Sequence, residues 1–156
     1  MTRESVYVLD ISVLLSDPDS IFGFPEKEIV LPVCILEALD ILKMELGEKG
    51  RLAQIVSHML EKCCQNGSLV EGVCLENGSK LRIDLTDPTK GTIPYDLGAS
   101  NFENRILAVT WILNQKDKNI VFVSQDENLR TKARIIEVKA ISYDGQMKDD
   151  SILYSG

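Results

Sequence analysis

Val6-Tyr7-Val8-Leu9-Asp10 puts four apolar residues in a row and stops on an acid, and Ile120-Val121-Phe122-Val123-Ser124-Gln125-Asp126 repeats the pattern with two polar residues before its acid. Neither run alternates polar with apolar, so each reads as a strand covered on both faces, the habit of parallel sheets. Glu28-Ile29-Val30-Leu31 and Lys139-Ala140-Ile141 are weaker strands of the same kind. Between them apolar residues recur at helical spacing. Ile35, Leu36, Leu39 and Leu42 follow Pro32, which suits a helix's first turn; Leu52, Ile55, Val56, Met59 and Leu60 mark a second helix ending before Gly67. Ile106, Leu107, Val109, Thr110 and Leu113 mark a third, and Leu129, Ala133 and Ile136 a shorter fourth. Strands alternating with helices predict an α/β fold, a central parallel sheet flanked by helices.

One segment breaks the rhythm. Ser68 to Leu85 reads as two strands joined through Glu76-Asn77-Gly78-Ser79, and Asn-Gly is a strong hairpin signal. Asp87 to Ser100, with Pro88, Gly91, Pro94 and Gly98, reads as a long loop. The expected organisation is one domain over residues 1–146, with a hairpin inserted at 68–85, a loop at 87–100 and a C-terminal tail at 147–156.

A chain of 156 residues, 44% apolar and 26% charged, is ordinary for one globular domain. No apolar run approaches the roughly 18 residues of a membrane span, and no leader is visible, so no membrane partner is expected. Cys34, Cys63, Cys64 and Cys74 show no C-x-x-C spacing and read as reduced thiols, which points to the cytoplasm. His58 is the single histidine, which removes imidazole triads and histidine-rich metal sites from consideration. A net charge of −7 argues against broad electrostatic adhesion to nucleic acid, although cation-binding carboxylates also contribute to that count.

Chemistry here has to run on carboxylates, hydroxyls and lysines. Ligands of open α/β sheets bind beyond the carboxyl ends of the strands, where strand order reverses. Asp10 and Asp126 stand at that end of the two buried strands and converge if those strands are neighbours; the plainer alternatives are a helix cap for Asp10 and a first-turn acid for Asp126. Glu37 shares its helix side with Val33, Asp40 and Ile41 at the margin of the apolar stripe, where a carboxylate needs a partner. Solvated flank positions are the competing reading for Glu37 and, more strongly, for Asp40. Glu103 closes a capping box, Ser100-Asn101-Phe102-Glu103, and Ser124-Gln125-Asp126-Glu127 fits the same motif. Carboxylates without histidine or thiolate make a hard oxygen site suited to Mg2+ or Mn2+, and such an ion promotes phosphodiester hydrolysis.

These residues resemble the PIN domain, in the version found at the N-terminus of PhoH-like proteins. The resemblance is carried by Tyr7-Val8-Leu9-Asp10 with Val13-Leu14-Leu15, Val30-Leu31-Pro32 with Leu36-Glu37-Ala38-Leu39-Asp40, Glu103-Asn104-Arg105-Ile106-Leu107-Ala108, and Val123-Ser124-Gln125-Asp126-Glu127-Asn128-Leu129-Arg130. Leu75-Glu76-Asn77-Gly78 and Lys80-Leu81-Arg82-Ile83 add to it, so it spans residues 5 to 145. It implies a three-layer PIN-like fold and a Mg2+- or Mn2+-dependent ribonuclease acting on single-stranded RNA through Asp10, Glu37, Glu103 and Asp126. In that scheme Asp10 is the central ligand, Glu37 and Asp126 complete the metal's surroundings, Glu103 orients the attacking water, and Ser12, Ser124 and Asp40 are supporting polar groups. The chain departs from the family at Ile11-Ser12, where Thr-Asn is usual, and at Glu103, where aspartate is usual.

An RNA path needs cations. Lys43, Lys49 and Arg51 follow the Glu37 helix, and Arg105 and Arg130 accompany the other two acids. The competing readings are a solvated face, and for Arg130 an i,i+4 pair with Asp126. Tyr95, Phe102 and Trp111 are the aromatic residues available for base stacking, with Trp111 at core spacing. A second function class keeps the fold without catalysis, as an RNA-binding or protein-interaction module in which Ile11-Ser12 and Glu103 have disabled the site. Phosphotransfer on Asp10 lacks the second acid of D-x-D. No G-x-x-x-x-G-K-[ST] occurs, so no ATP site is expected in this chain, which would then be a fragment of a longer PhoH-like ATPase; a homo-oligomer is compatible with the sequence.

Overall fold

Parallel strands separated by helices have to be ordered by crossovers, and the computed structural model, which describes residues 4–89, 94, 101–117 and 119–145, fixes that order. The elements along the chain are β1 (Val6–Leu9), α1 (Ile11–Ser16), a 3-10 turn (Ser20–Gly23), β2 (Glu28–Pro32), α2 (Cys34–Leu42) and α3 (Glu48–Cys64). They continue with β3 (Val73–Cys74), β4 (Lys80–Asp84), α4 (Phe102–Lys116), β5 (Ile120–Val123), α5 (Glu127–Ile135) and β6 (Lys139–Ile141). Among the described residues the sheet runs β3-β4-β2-β1-β5-β6, parallel throughout except for the β3–β4 pair. The α/β architecture with helices flanking a mostly parallel sheet is the one expected from the sequence.

The unbroken apolar runs are central strands for the anticipated reason. Tyr7, Val8 and Leu9, and all of Ile120 to Val123, are buried, so both faces of β1 and β5 are covered. Tyr7 meets Phe24 at a centroid distance of 5.0 Å, and Phe24 meets Tyr143 at 5.7 Å, which seals the sheet beneath the chain that leaves β6. Burying side chains of this size stabilises the fold by about 1.5–3 kcal/mol each. Among the helices, α2 packs against α3 and α4, and α4 against α5.

Four local readings need correction. The six-residue helix α1 is implied in the sequence only by the cap alternative for Asp10 and is not read there as an element: Ile11-Ser12-Val13-Leu14-Leu15-Ser16 is too short to display a helical period, and Asp10 starts it by accepting from the Ser12 amide. Pro32 ends β2 rather than opening α2, which begins at Cys34. The cap of α4 is Asn101, whose side chain accepts from Asn104 N at 2.8 Å, so the box starting at Ser100 is displaced by one residue. The cap of α5 is Asp126, not Ser124, because the Ser124 hydroxyl is used elsewhere.

The hairpin turns where Asn-Gly predicts, with Gly78 at φ 86° and the Asn77 side chain accepting from Ser79 N and donating to Phe22 O. Its second strand is a full member of the sheet, since β4 pairs with β2 from Glu28↔Lys80 to Pro32↔Asp84, while β3 is only two residues long. Most of the expected 87–100 loop, including Tyr95, and the tail at 147–156 lie outside the described residues. Among the described residues no helix is long and apolar enough to cross a membrane.

Candidate active site

Strand order reverses between β1 and β5, and the crevice there is where an open parallel sheet binds ligands. The two strands run level, Leu9 opposite Val123, so Asp10 and Ser124 leave the sheet side by side. The Asp10 amide donates to Val123 O at 2.9 Å, which anchors the start of the turn.

Asp10 is fully buried, and its two oxygens have different surroundings. Oδ2 accepts from Ser12 Oγ at 2.6 Å, from Ser124 Oγ at 2.9 Å and from Ser12 N at 3.4 Å. The direction of those bonds is forced. Ser12 Oγ already accepts from Gln125 N at 3.0 Å and Ser124 Oγ from Asp126 N at 3.1 Å, so each hydroxyl has its proton free for the carboxylate. Oδ1 is buried with no hydrogen-bond partner. Burial pushes the Asp10 carboxyl above its ordinary value, and the Ser12 and Ser124 hydrogen bonds pull it only part of the way back. An ionised Asp10 therefore presents one saturated oxygen and one that nothing in the protein satisfies.

The other predicted acids are in different states. Asp126 is exposed and caps α5, its Oδ1 accepting from Asn128 N at 2.9 Å and Leu129 N at 3.2 Å, which leaves Oδ2 outside the cap. Asp10 is the helix cap that the alternative reading made it, and Asp126 is a cap too, where a first-turn acid was expected; capping does not compete with a role in the crevice, because α1 and α5 both begin at this edge. Glu37, on α2, is exposed and pairs with Arg105 Nη1 of α4 at 3.4 Å. Glu103 lies half-buried in the first turn of α4. Asp40 is exposed and pairs with Lys43 at 3.2 Å on its own helix, away from the Asp10 network.

The predicted cations divide in the same way. Arg51 pairs with Glu48, Lys43 with Asp40, and Lys49 is exposed near the start of α3. Arg130 does not make the expected i,i+4 pair; its Nη1 donates to Ser124 O at 2.7 Å, because the Asp126 carboxylate is turned into the cap. Arg105 is at the site through Glu37 and lies 5.6 Å from the Phe102 ring centroid. Two features had no sequence signal. Lys132 reaches from α5 to Asn104 Oδ1 at 3.1 Å, next to Glu103, and Asp84 is buried at the end of β4, held by Thr86 N at 2.8 Å and Arg82 Nη1 at 3.0 Å.

Among the described residues, no three histidine, cysteine, aspartate or glutamate side chains gather closely enough to hold a metal ion. The donor set nonetheless fits a hard divalent cation in kind, being all oxygen, and the unsatisfied Asp10 Oδ1 is a buried carboxyl oxygen of the type such an ion takes.

The PIN domain family model matches residues 7–144. Protein PhoH2 of Bacillus subtilis is 35% identical over 158 residues, covering 97% of this chain and 36% of that protein. The proteins of the same name from Thermobispora bispora and Mycolicibacterium smegmatis are 31% and 32% identical, covering 96% and 94% of this chain and 34% of each relative. The chain thus spans about a third of the length of the curated relatives it matches. A solved domain of a functionally unknown protein from Methanocaldococcus jannaschii superposes with a TM-score of 0.54 at 12% identity, covering 93% of this chain and 95% of that one, which speaks to the fold alone.

Proposed function

The chain belongs to the PIN domain family, a nuclease-type fold, and from that premise we propose that it is a divalent-metal-dependent ribonuclease that hydrolyses phosphodiester bonds of single-stranded RNA. The observation that carries the reading is the asymmetry of Asp10: Oδ2 takes three donors and Oδ1, equally buried, takes none. A buried charged oxygen left without a donor costs stability, and a cation is the partner that removes the cost.

In this reading Asp10 is the central ligand for Mg2+ or Mn2+, and Glu37, Glu103 and Asp126 supply the remaining protein oxygens directly or by holding water. Bound at these acids, such an ion supplies a more acidic water and charge stabilisation at a phosphoryl oxygen. Ser12 and Ser124 fix the Asp10 rotamer, so that Oδ1 is the oxygen left for a cation. Glu103 orients the attacking water and takes up its proton. Arg105, paired with Glu37, Arg130, on the Asp126 helix, and Lys132, bonded to Asn104, hold the RNA phosphates; Lys43, Lys49 and Arg51 extend that path along α2 and α3.

A second reading, a non-catalytic interaction module, is favoured by Glu37 being engaged with Arg105. Calorimetric titration of Mn2+ into the wild type and Asp10→Asn in EDTA-stripped buffer, followed by assay of single-stranded RNA cleavage, decides between them. The nuclease reading expects binding and metal-dependent cleavage that are both lost in Asp10→Asn. A folded wild type that does neither is the module.

A further inference from the structure

The Glu37–Arg105 pair joins two helices across 68 residues of sequence and ties up one of the acids that the proposed nuclease needs. We propose that Arg105 is an internal counter-ion that holds Glu37 in the metal-free protein and is displaced from it when a divalent cation binds, so that metal loading and release of the guanidinium are one event. The inference rests on the metal reading above and concerns how that site is filled.

Three observations support it. First, the pair is positioned to be exchangeable. It has a single contact of 3.4 Å rather than a two-pronged fork, and both side chains are accessible, 38% for Arg105 and 66% for Glu37. A pair of that kind is worth little and gives way to a doubly charged competitor. Second, Arg105 has somewhere to rest: its guanidinium carbon lies 5.6 Å from the Phe102 ring centroid, a cation–π arrangement that retains the side chain beside the site after Glu37 has let go. Third, the same neighbourhood contains Asp10. The buried Cys34 thiol at the start of α2 is pushed up to about 11, first by burial, then by the Glu37 anion, with Arg105 pulling it down and Asp10 pushing it up. The thiol is thus within electrostatic reach of all three groups, Glu37 and Arg105 from α2 and α4 and Asp10 from the end of β1. Arg105 supplies the positive charge there while no metal does.

The consequence is a competition that measurement can see without any cleavage assay. In Mn2+ calorimetry on the whole chain, Arg105→Gln should bind Mn2+ about two- to fivefold more tightly than wild type, the range expected for removing an exposed ion pair. Unchanged or weaker binding in Arg105→Gln overturns the proposal. A general field effect of the arginine would also tighten binding, so the second readout is direct. The Arg105 Nη1–H signal, from the group that donates to Glu37, is assigned in low-temperature 15N NMR by its loss in Arg105→Gln and followed through a Mg2+ titration of the wild type. Release from Glu37 speeds exchange of that proton with water, with the same half-saturation as metal binding. A signal whose exchange rate does not change while Mg2+ binds means that Arg105 never left, and the proposal fails although the metal site stands. A wild type that binds neither ion removes the metal reading and this inference together.

Discussion

Two hydroxyls decide which oxygen of Asp10 is left over. Ser12 and Ser124 come from positions 112 residues apart, and each spends its proton on Oδ2 because a backbone N–H already occupies its acceptor side. Ser12 stands where the family usually carries asparagine, and here its hydroxyl does the bracing, so the departure at Ile11-Ser12 does not leave Asp10 unsupported. Asp84 shows the opposite balance. Burial pushes its carboxyl up, yet the Thr86 hydrogen bonds and Arg82 outweigh that and hold it below the ordinary value of 3.8. A depressed carboxyl stabilises the fold above its unfolded value and loses that contribution as pH falls through its folded value. Asp84→Asn is therefore expected to lower stability by about 1–3 kcal/mol at pH 7, with the deficit shrinking below pH 3.8. Urea midpoints of the two proteins at pH 7 and pH 3 check it; a deficit equal at both would assign the loss to shape rather than charge.

At the scale of elements, helix starts gather the chemistry. α1, α4 and α5 are capped by Asp10, Asn101 and Asp126, and these caps hold the first turns that carry Ser12, Glu103, Arg105 and Arg130 or their anchors. Capping was legible, but not to the residue: Ser-x-x-Glu words occur at both Ser100 and Ser124, and the caps fall on Asn101 and Asp126 because Ser124 is drawn to a carboxylate far away in sequence. Asn101→Ala should cost about 1 kcal/mol, the usual worth of a cap, read as a lowered urea midpoint. It should also weaken Mn2+ binding in the same protein, since the fraying turn carries Glu103. A destabilised variant with unaltered Mn2+ affinity would mean that Glu103 is not part of the site.

For the whole molecule, the segment that looked like an insertion is structural. β4 stands between β3 and β2 and pairs with β2 over five residues, so excision of 68–85 strips a side of the central sheet and exposes Ile29 and Leu31. The expected result is a chain without a cooperative thermal transition in circular dichroism, rather than a folded protein of altered assembly. A deletion variant that melts cooperatively with an α/β spectrum would show that β4 is dispensable after all. The charge of −7 belongs to this scale too: RNA affinity should depend on divalent metal more than on the bare protein surface, because neutralising the acids removes the local repulsion.

The sequence by itself determined the central strands and the edge at which Asp10 and Asp126 emerge. A parallel strand buried on both faces must be written as a continuous apolar run, and the acid that follows it must emerge at the strand's carboxyl end, so Asp10 and Asp126 could be placed before any coordinates. Tertiary structure alone decided how the edge is wired. It set β4 inside the sheet, turned Arg130 to the Ser124 carbonyl, joined Glu37 to Arg105 and left Oδ1 of Asp10 unsatisfied. The physical reason is range: periodicity records which face of an element is buried, whereas a hydrogen bond or ion pair between side chains far apart in sequence depends on where two elements come to rest.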